Sequence, residues 1–209
     1  MTKKKPKKPL FNREKELKED FDFVFGVDEV GRGCFAGPIV AASVHFDGEY
    51  KWFEDINDSK LLTHKQRKRL SKLILKYGVC FIETIGVEVI NEIGIGESNK
   101  RIFENLIKKV NEKQKDKKVY FIIDGNNKAI DYKNLEYIVK GDQRHTSIAA
   151  ASIIAKVYRD ELMINLGEVY KGYNFSKNKG YGTKFHQDAI KKLGLCEIHR
   201  KSFNLSKFL

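Results

Sequence analysis

Apolar residues occur in five short runs separated by polar or glycine-containing segments, and these runs predict the strands of a sheet. Two of them, residues 23–27 and 40–46, lie on either side of a glycine-rich turn and are predicted to pair as antiparallel neighbours. The run VYFII at 119–123 has no charged residue and is typical of a strand buried on both faces. The remaining predicted strands cover residues 79–85 and 135–139.

Apolar residues at helical spacing predict five helices. The clearest covers residues 64–77, because Thr63 is a good N-cap and Gly78 ends the pattern. Residues 146–163 contain four alanines, which favour a helix and let it approach a sheet closely. The other predicted helices cover residues 87–93, 97–113 and 184–193, with a break at Gly94 between the first two.

Strands alternate with helices through the middle of the chain after a hairpin-like start. This order predicts an α/β fold with a mixed central sheet flanked by helices. The sequence has no internal repeat and no linker. We therefore expect a single catalytic domain over residues 21–209, with the last helices packed as a C-terminal cap and residues 1–20 preceding it as a basic arm.

The first 20 residues are dense in charge. Five lysines stand beside two prolines within the first nine residues, and the arm is predicted to be disordered, or helical only over residues 13–21. An electrostatic arm that binds nucleic acid and a solubilising tail are equally good interpretations. No apolar stretch follows the charges, so the segment is not a secretory signal.

Charge and cysteine content narrow the class of protein. The 209 residues include 40 basic and 28 acidic ones, for a formal net charge of +12. Such an excess favours a polyanionic partner, although solvated lysine-rich faces give the same composition. No apolar run approaches the roughly 20 residues that cross a bilayer. The cysteines at 34, 80 and 196 are too widely spaced for a zinc site or a disulfide framework, which suits a reducing cytoplasm.

Four acidic residues follow the predicted strands. Asp28 and Glu29 end the first, Asp124 ends the VYFII run, and Asp142 follows residues 135–139. Strand ends meet at one edge of an open α/β sheet, so these carboxylates are predicted to converge and to repel one another unless cations lie among them. Oxygen ligands suit Mg²⁺ or Mn²⁺, and two such ions about 4 Å apart promote attack of water on a phosphodiester. The alternative is that Asp124 and Asp142 are simple turn residues beside glycine.

A glycine turn follows the first two acids. Because consecutive strand residues point to opposite faces, Asp28 and Glu29 can share one site only if the strand ends or bulges between them. Gly31 and Gly33 allow such a change of direction. Together with Arg32, their exposed amides suit the phosphate and hydroxyl oxygens of a sugar-phosphate backbone. Taken alone, the three residues are more typical of an ordinary turn with a surface arginine.

Seven motifs, in this order, give the chain a close resemblance to the bacterial ribonuclease HII family. They span residues 26–203 and are highly specific as a set: GVDEVGRGCFAGPIVAASV, NDSKLL, IIDG, VKGD, SIAAASIIAKVYRD, KNKGYGT and CEIHRKSF. The resemblance implies a ribonuclease H-like fold and a metal-dependent endoribonuclease that cuts the RNA strand of RNA–DNA hybrids. It also implies cleavage on the 5′ side of single ribonucleotides embedded in duplex DNA, leaving 3′-hydroxyl and 5′-phosphate ends. A monomer acting in ribonucleotide excision repair in the cytoplasm is expected.

The resemblance also assigns roles to residues. The metal-binding, catalytic carboxylates of the family fall on Asp28, Glu29, Asp124 and Asp142, which would hold two Mg²⁺ or Mn²⁺ ions in the active complex. The turn that senses the ribonucleotide falls on residues 31–33.

Three further residues are implied to contact nucleic acid. Tyr181 in KGYG would work with the glycine turn and stack on the neighbouring sugar, where a further 2′-hydroxyl would fit poorly. Lys60 in DSK and Lys179 in KGYG fall at positions that face phosphates. For Asp160, also a family feature, we expect a structural ion pair with Arg159 or a nearby lysine.

The chain departs from the family pattern at a few positions. Val30 replaces an alanine, and Cys34 and Phe35 replace Pro-Leu, which should change packing only. Gln143 follows Asp142 where a small residue is frequent, so no side-chain phosphate contact is carried over to it. The histidines expected to be hydrogen-bonded or on the surface, rather than metal ligands, are His145, His186 and His199.

Two rival interpretations are less well supported. Ribonuclease HIII carries an extra N-terminal domain and lacks arginine in the turn, whereas Arg32 is present here and about 20 residues precede the first strand. A silent nucleic-acid-binding module would have no reason to keep four mutually repelling acids. At the C-terminus, NLSKFL (residues 204–209) loosely matches a peptide that docks weakly on a ring-shaped replication clamp, and a buried terminal stripe is the alternative.

Overall fold

The computed structural model describes residues 8–126 and 130–205. Its strands are β1 (Phe23–Val30), β2 (Ile39–Phe46), β3 (Gly78–Ile85), β4 (Val119–Asp124) and β5 (Leu135–Ile138). They form one sheet in the order β3-β2-β1-β4-β5. The pairs β1–β2 and β2–β3 are antiparallel, whereas β4 and β5 run parallel to β1. The predicted mixed sheet is confirmed.

The helices include all five that the sequence predicts, two of them as halves of one longer helix. They are α1 (Asn12–Leu17), α2 (His64–Tyr77), α3 (Val87–Lys113), α4 (Thr146–Val169), α5 (Phe175–Asn178) and α6 (Lys184–Leu193), with 3₁₀ turns at Lys51–Asp55 and Gly141–Gln143. The predicted N-cap of α2 is confirmed, because Thr63 and Gln66 form a reciprocal capping box. The predicted break in α3 is also confirmed, because Gly94 has φ 78° between two helical segments.

Two hydrophobic cores lie on opposite faces of the sheet. On one face, alternate residues of β2 pack against α2 and the alanines of α4. On the other face, Phe25 and Val27 of β1 pack against α3. Gly26 brings β1 and α4 together, since a Cβ on it would lie 2.2 Å from the carbonyl carbon of Ser147. Alternation along β1 therefore directs Asp28 toward α4 and Glu29 toward α3.

The first strand is longer than predicted, and this corrects the expected arrangement of its two acids. The sequence predicts that β1 ends at Val27, or bulges between Asp28 and Glu29. Instead, both acids continue the regular antiparallel ladder with β2, while the parallel pairing with β4 ends at Val27 and Ile123. The acids are thus held in extended backbone by β2, beyond the point where β4 turns away.

The N-terminal segment is more ordered than predicted. Phe11 is buried against Phe46 and Phe53, and buried Glu14 accepts hydrogen bonds from the amide and the hydroxyl of Ser147 at 2.9 and 2.7 Å. Leu17 is buried as well. Of the two alternatives for this segment, the helical one over residues 13–21 agrees in part with α1, and apolar side chains among the lysines attach residues 11–17 to the sheet and α4. Residues 1–7 lie outside the described residues.

The last part of the chain packs as the expected cap. Met163 near the end of α4 lies against Tyr173, Phe175 and Ile190 in a separate small core. Leu205 is 3% exposed, whereas residues 206–209 of the predicted clamp peptide lie outside the described residues. Within the described ranges, no helix is long and apolar enough to cross a membrane.

Candidate active site

Three of the predicted acids meet at one end of the sheet. Asp28, Asp124 and Asp142 each place a carboxylate oxygen within 4.8 Å of the others. The first lies in β1, the second ends β4, and the third lies in the 3₁₀ turn after β5. Asp28 and Asp142 are buried and Asp124 is half-buried. The strand ends therefore bring together carboxylates that are up to 114 positions apart in the sequence, from 28 to 142.

Hydrogen bonds hold these carboxylates in place. The Asp28 carboxylate accepts from the amide of Glu29 at 2.8 Å and from the hydroxyl of Ser152 on α4. Ser152 Oγ in turn lies 2.8 Å from Ser59 Oγ. Asp124 accepts from the amide of Gly141 at 2.6 Å, which fixes β4 against the turn that carries Asp142. The carboxylates are thus oriented before any ligand arrives.

The electrostatics of this cluster favour a bound cation. Burial raises the pKa of Asp28 well above its usual value, and the charges of Glu29 and Asp124 raise it further. Burial, Asp124 and Asp58 likewise raise the pKa of Asp142. A divalent cation would relieve both the repulsion and the desolvation. The donor set contains only oxygen, which fits Mg²⁺ or Mn²⁺.

Glu29 lies beside the cluster on the other face of β1. It shares a recess of about 170 Å³ with Asp124, Arg32 and residues of α3, including Lys100. Burial and the charge of Asp124 raise its pKa, whereas Arg32 and Lys60 lower it. Glu29 is outside the 4.8 Å set formed by the described residues. Glu29 also lines, with Asp28 and Asp124, the larger cleft over the acids, so both acids of β1 border the same space at the edge of the sheet.

A cleft of about 450 Å³ opens over the acids and contains two of the predicted nucleic-acid contacts, Lys60 and Tyr181. Lys156 lines it as well, and its ammonium lies 5.7 Å from the centre of the Tyr181 ring. The expected ion pair of Asp160 is with this lysine, at 2.8 Å.

The two predicted phosphate-facing lysines have different surroundings. The loop of Lys60 is fixed by Asp58, which accepts from the Lys60 amide at 2.9 Å, so the exposed ammonium lies at the cleft. Lys179 has a left-handed backbone with φ 53°, and its ammonium donates to the carbonyl of Ser176. Burial lowers the pKa of Lys179.

Sequence reasoning missed several residues of the site. Ser152 and Lys156 lie one turn apart on α4, inside the SIAAASIIAKVYRD motif, and their spacing of four was the available signal. Asp58, inside NDSK, is a fifth carboxylate near Asp142 and accepts from the side chain of Gln143 at 3.3 Å. The departure at Gln143 thus has a partner within the protein.

The glycine turn lies between β1 and Tyr181. Gly31 has φ 95°, and its carbonyl accepts from the amide of Cys34 at 3.3 Å. Among the described residues, the exposed amides of Arg32 and Gly33 have no hydrogen-bond acceptor. The Tyr181 hydroxyl is hydrogen-bonded to Cys34, and burial raises the pKa of the phenol to about 12. The turn therefore offers free donors next to an aromatic ring.

A mixed five-stranded sheet with flanking helices and a cluster of acids at its edge defines a ribonuclease H-like nuclease. A sequence profile of the ribonuclease HII family matches residues 25–206. The ribonuclease HII of Chloroherpeton thalassium is 45% identical over 191 residues, which cover 89% of this chain and 92% of that protein.

Solved structures share the fold at low identity. The ribonuclease HII from Archaeoglobus fulgidus, solved in complex with PCNA, superposes with a TM-score of 0.72 at 22% identity, covering 86% of this chain and 94% of that one. Bst-RNase HIII in complex with Mn²⁺ gives 0.61 at 21% identity, covering 89% of this chain and 68% of that one. The chain belongs to the ribonuclease HII family. It is therefore a metal-dependent endoribonuclease of the ribonuclease H class, acting on RNA–DNA hybrids.

Proposed function

We propose that this ribonuclease also cuts duplex DNA on the 5′ side of a single embedded ribonucleotide. The supporting observation is the short distance along the chain between the acids and the turn: Gly31 follows Asp28 by three residues, and Tyr181 borders the same cleft. A ribonucleotide differs from its neighbours by one 2′-hydroxyl, which both donates and accepts hydrogen bonds. The free amides and Arg32 suit that hydroxyl and the adjacent phosphate.

The proposed chemistry is two-metal-ion hydrolysis. Asp28, Asp124 and Asp142 would hold the ions, with Glu29 contributing from the opposite face of β1. When bound, two Mg²⁺ or Mn²⁺ ions supply an activated water and positive charge at the leaving oxygen. Ser152 keeps the Asp28 carboxylate oriented, and the Gly141 amide does the same for Asp124. The products would carry 3′-hydroxyl and 5′-phosphate ends.

Substrate binding is assigned to the basic residues and the ring around the cleft. Lys60 lies at the cleft, Lys156 lies over Tyr181, and Lys179 is the first residue of KGYG, two positions before Tyr181. We assign phosphate contacts to Lys60 and Lys179 and a sugar contact to Tyr181. Affinity for duplex should then fall with salt by about 0.9 log unit per neutralised phosphate for each log unit of salt.

The cellular setting completes the proposal. We assign the enzyme to ribonucleotide excision repair in the cytoplasm, as a monomer. Weak docking of the C-terminal segment on a ring-shaped replication clamp is supported by the structural relative that was solved with PCNA. Burial of Leu205 limits such a contact to the residues that follow it.

One experiment tests the reaction. The protein is incubated with a DNA duplex containing one ribonucleotide and with an RNA–DNA hybrid, each with Mg²⁺ or Mn²⁺, and the cut ends are mapped. We expect a cut 5′ to the ribonucleotide with a 3′-hydroxyl and a 5′-phosphate. The control is Asp124→Asn, which should lose cleavage by at least about a hundredfold while it keeps duplex binding, because several kcal/mol of transition-state stabilisation disappear. Cleavage of the hybrid alone would refute the ribonucleotide activity.

A further inference from the structure

Two arginines are completely buried behind the glycine turn. Arg159 on α4 and Arg200 after α6 are both 0% exposed. Among the described residues, neither lies within ion-pair distance of a carboxylate. A buried guanidinium is costly unless hydrogen bonds satisfy its donors. The acceptors that it contacts therefore indicate what it does.

Arg200 forms hydrogen bonds to the turn and to the segment that follows it. Its Nε and Nη2 donate to the carbonyl of Gly37 at 2.9 and 2.7 Å, and Nη1 donates to the carbonyl of Arg32 at 2.9 Å. Arg32 is the middle residue of the turn. One rigid guanidinium thus fixes two carbonyls that are five residues apart in the chain.

Arg159 connects the segment that follows the turn to the loop of Tyr181. It donates to the carbonyls of Pro38 at 2.8 Å, Ala36 at 3.2 Å and Lys179 at 2.8 Å. Its guanidinium carbon lies 5.9 Å from the centre of the Tyr181 ring. The two loops therefore share one buried donor group.

Backbone contacts also join the segment after the turn to the loop of Tyr181. The amide of Phe35 donates to the carbonyl of Gly180 at 2.8 Å, and a Cβ on Gly180 would lie 2.2 Å from the carbonyl oxygen of Ala36. A Cβ on Gly31 would lie 2.2 Å from Nε of Arg159. Within the turn, the carbonyl of Arg32 accepts from Arg200 and the carbonyl of Gly31 accepts from Cys34. The amides of Arg32 and Gly33 are therefore available to a ligand.

We propose that Arg159 and Arg200 are positioning residues that hold the 31–33 turn and Tyr181 in the arrangement that reads the ribonucleotide. This inference rests on the proposed function. An ammonium cannot replace a guanidinium here, because it cannot place separate donors on carbonyls held in a fixed fork geometry. Burial lowers the pKa of Arg200 to about 10, so it stays charged at neutral pH.

The test compares Arg200→Lys and Arg159→Lys with the wild type and with Leu106→Ala. Leu106 lies on α3 and is fully buried in the core between that helix and the sheet, so its variant controls for lost stability. For each protein, kcat and KM are measured on a duplex with one ribonucleotide, together with affinity for the same duplex made only of DNA, and the melting temperature. All assays are run well below the lowest melting temperature.

We expect both arginine variants to lose about tenfold to a hundredfold in kcat, as for a misplaced reacting group. Affinity for the all-DNA duplex should stay within about twofold, because the basic surface is unchanged. Leu106→Ala should lose stability and keep kcat. Wild-type kcat in folded Arg200→Lys, or an equal kcat loss in Leu106→Ala, would overturn the proposal.

Two further outcomes remain decisive. If Arg200→Lys does not fold, Arg159→Lys decides the question by the same criteria. Arg159 donates to the carbonyls of Ala36 and Pro38, on either side of the Gly37 carbonyl that Arg200 binds. If the wild type does not cut the single-ribonucleotide duplex, the proposed function fails. The variants are then compared on the RNA–DNA hybrid, where a kcat loss at retained stability supports the positioning role and its absence refutes it.

Discussion

Asp28 and Glu29 are consecutive in β1, yet their side chains lie on opposite faces of the sheet. Asp28 faces α4 and accepts from Ser152, whereas Glu29 shares a recess with residues of α3 and reaches the cleft of Asp28 only at the edge of the sheet. The regular ladder with β2 imposes this separation. The buried Asp28 is consequently the member of the pair that belongs to the three-carboxylate cluster.

Replacing Asp28 by Asn should stabilise the metal-free protein. Burial and the neighbouring acids raise the pKa of this carboxyl, so its ionised form opposes folding at neutral pH. We expect the melting temperature in EDTA to rise by about 2–4 °C for each kcal/mol gained. The gain in melting temperature on adding Mg²⁺ or Mn²⁺ should shrink, because a ligand for the ion is lost.

The matched control for that measurement is Asp188→Asn. Asp188 is an exposed acid on α6, in the C-terminal cap, that pairs with Lys184 at 2.8 Å and lines neither the cluster nor its cleft. Its loss should leave the metal-dependent shift unchanged. An Asp28→Asn protein that gains as much from Mg²⁺ as the wild type would contradict the assigned ligand role.

Replacing either glycine of the turn by alanine should affect stability to different extents. Gly31→Ala forces an alanine to φ 95° and brings its Cβ against Arg159, so stability should fall by roughly 2 kcal/mol or more. Gly33 has open space around its Cβ position. Gly33→Ala should therefore change stability by less than about 0.5 kcal/mol, as an exposed substitution does.

Activity separates the same two variants further. The methyl group in Gly33→Ala would occupy the space beside the free amides, so kcat/KM on a single-ribonucleotide duplex should fall although the protein is folded. Urea unfolding and steady-state kinetics measure the two effects. Equal stability of both variants would show that the backbone at Gly31 is not strained as described.

The sequence predicted the sheet well because its signals are local. The VYFII run, the Thr63 cap and the Gly94 break each depend on a few neighbouring residues, and each appears in the structure where expected. The convergence of Asp124 and Asp142 followed from a rule about strand ends. By contrast, the end of β1 depends on pairing with β2, which cannot be read from β1 itself.

The unpredicted parts of the site depend on contacts distant in sequence. Ser59 reaches Ser152 across 93 positions, and Arg200 reaches Arg32 across 168. The buried state of Phe11 similarly depends on Phe46 and Phe53. Motifs name such residues, but only the packed structure shows which partner each one has.

Tyr181→Ala should weaken discrimination more than binding. The ring lies at the cleft, 38% exposed, with the cationic groups of Lys156 and Arg159 at 5.7 and 5.9 Å from its centre. We expect the preference for a ribonucleotide followed by a deoxyribonucleotide, over two successive ribonucleotides, to fall about tenfold, corresponding to about 1.4 kcal/mol. Affinity for duplex DNA should change less.

The control is Tyr181→Phe, which keeps the ring and loses the hydrogen bond to Cys34. It should retain most of the junction preference, because the proposed contact is between the ring and the sugar. The preference is the ratio of kcat/KM values for the two substrates. A parallel loss of preference and DNA affinity in Tyr181→Ala would count against a reading role for the ring.

A chain of hydrogen bonds through two buried histidines should make stability depend on acidic pH. His199 Nδ1 accepts from the Cys196 amide at 2.9 Å, its Nε2 lies 3.0 Å from Nε2 of His186, and His186 Nδ1 lies 2.9 Å from the carbonyl of Tyr181. This network assigns one proton to each ring. A second proton on either ring would break the chain and place a charge in the cap.

The direction of the pH effect follows from the lowered pKa values. Burial lowers the pKa of both histidines, that of His199 to about 4, with the charge of His186 as a second cause. The unfolded chain therefore binds more protons than the folded one between about pH 4 and 6.5. This contribution to stability is complete above pH 6.5 and is lost as the pH falls toward 4, up to about 3 kcal/mol for His199.

Urea unfolding from pH 7 to 5 should show the slope of unfolding free energy against pH, and His199→Gln should make that slope shallower by about one proton. An unaltered slope in His199→Gln would refute the assignment of this proton to the buried pair.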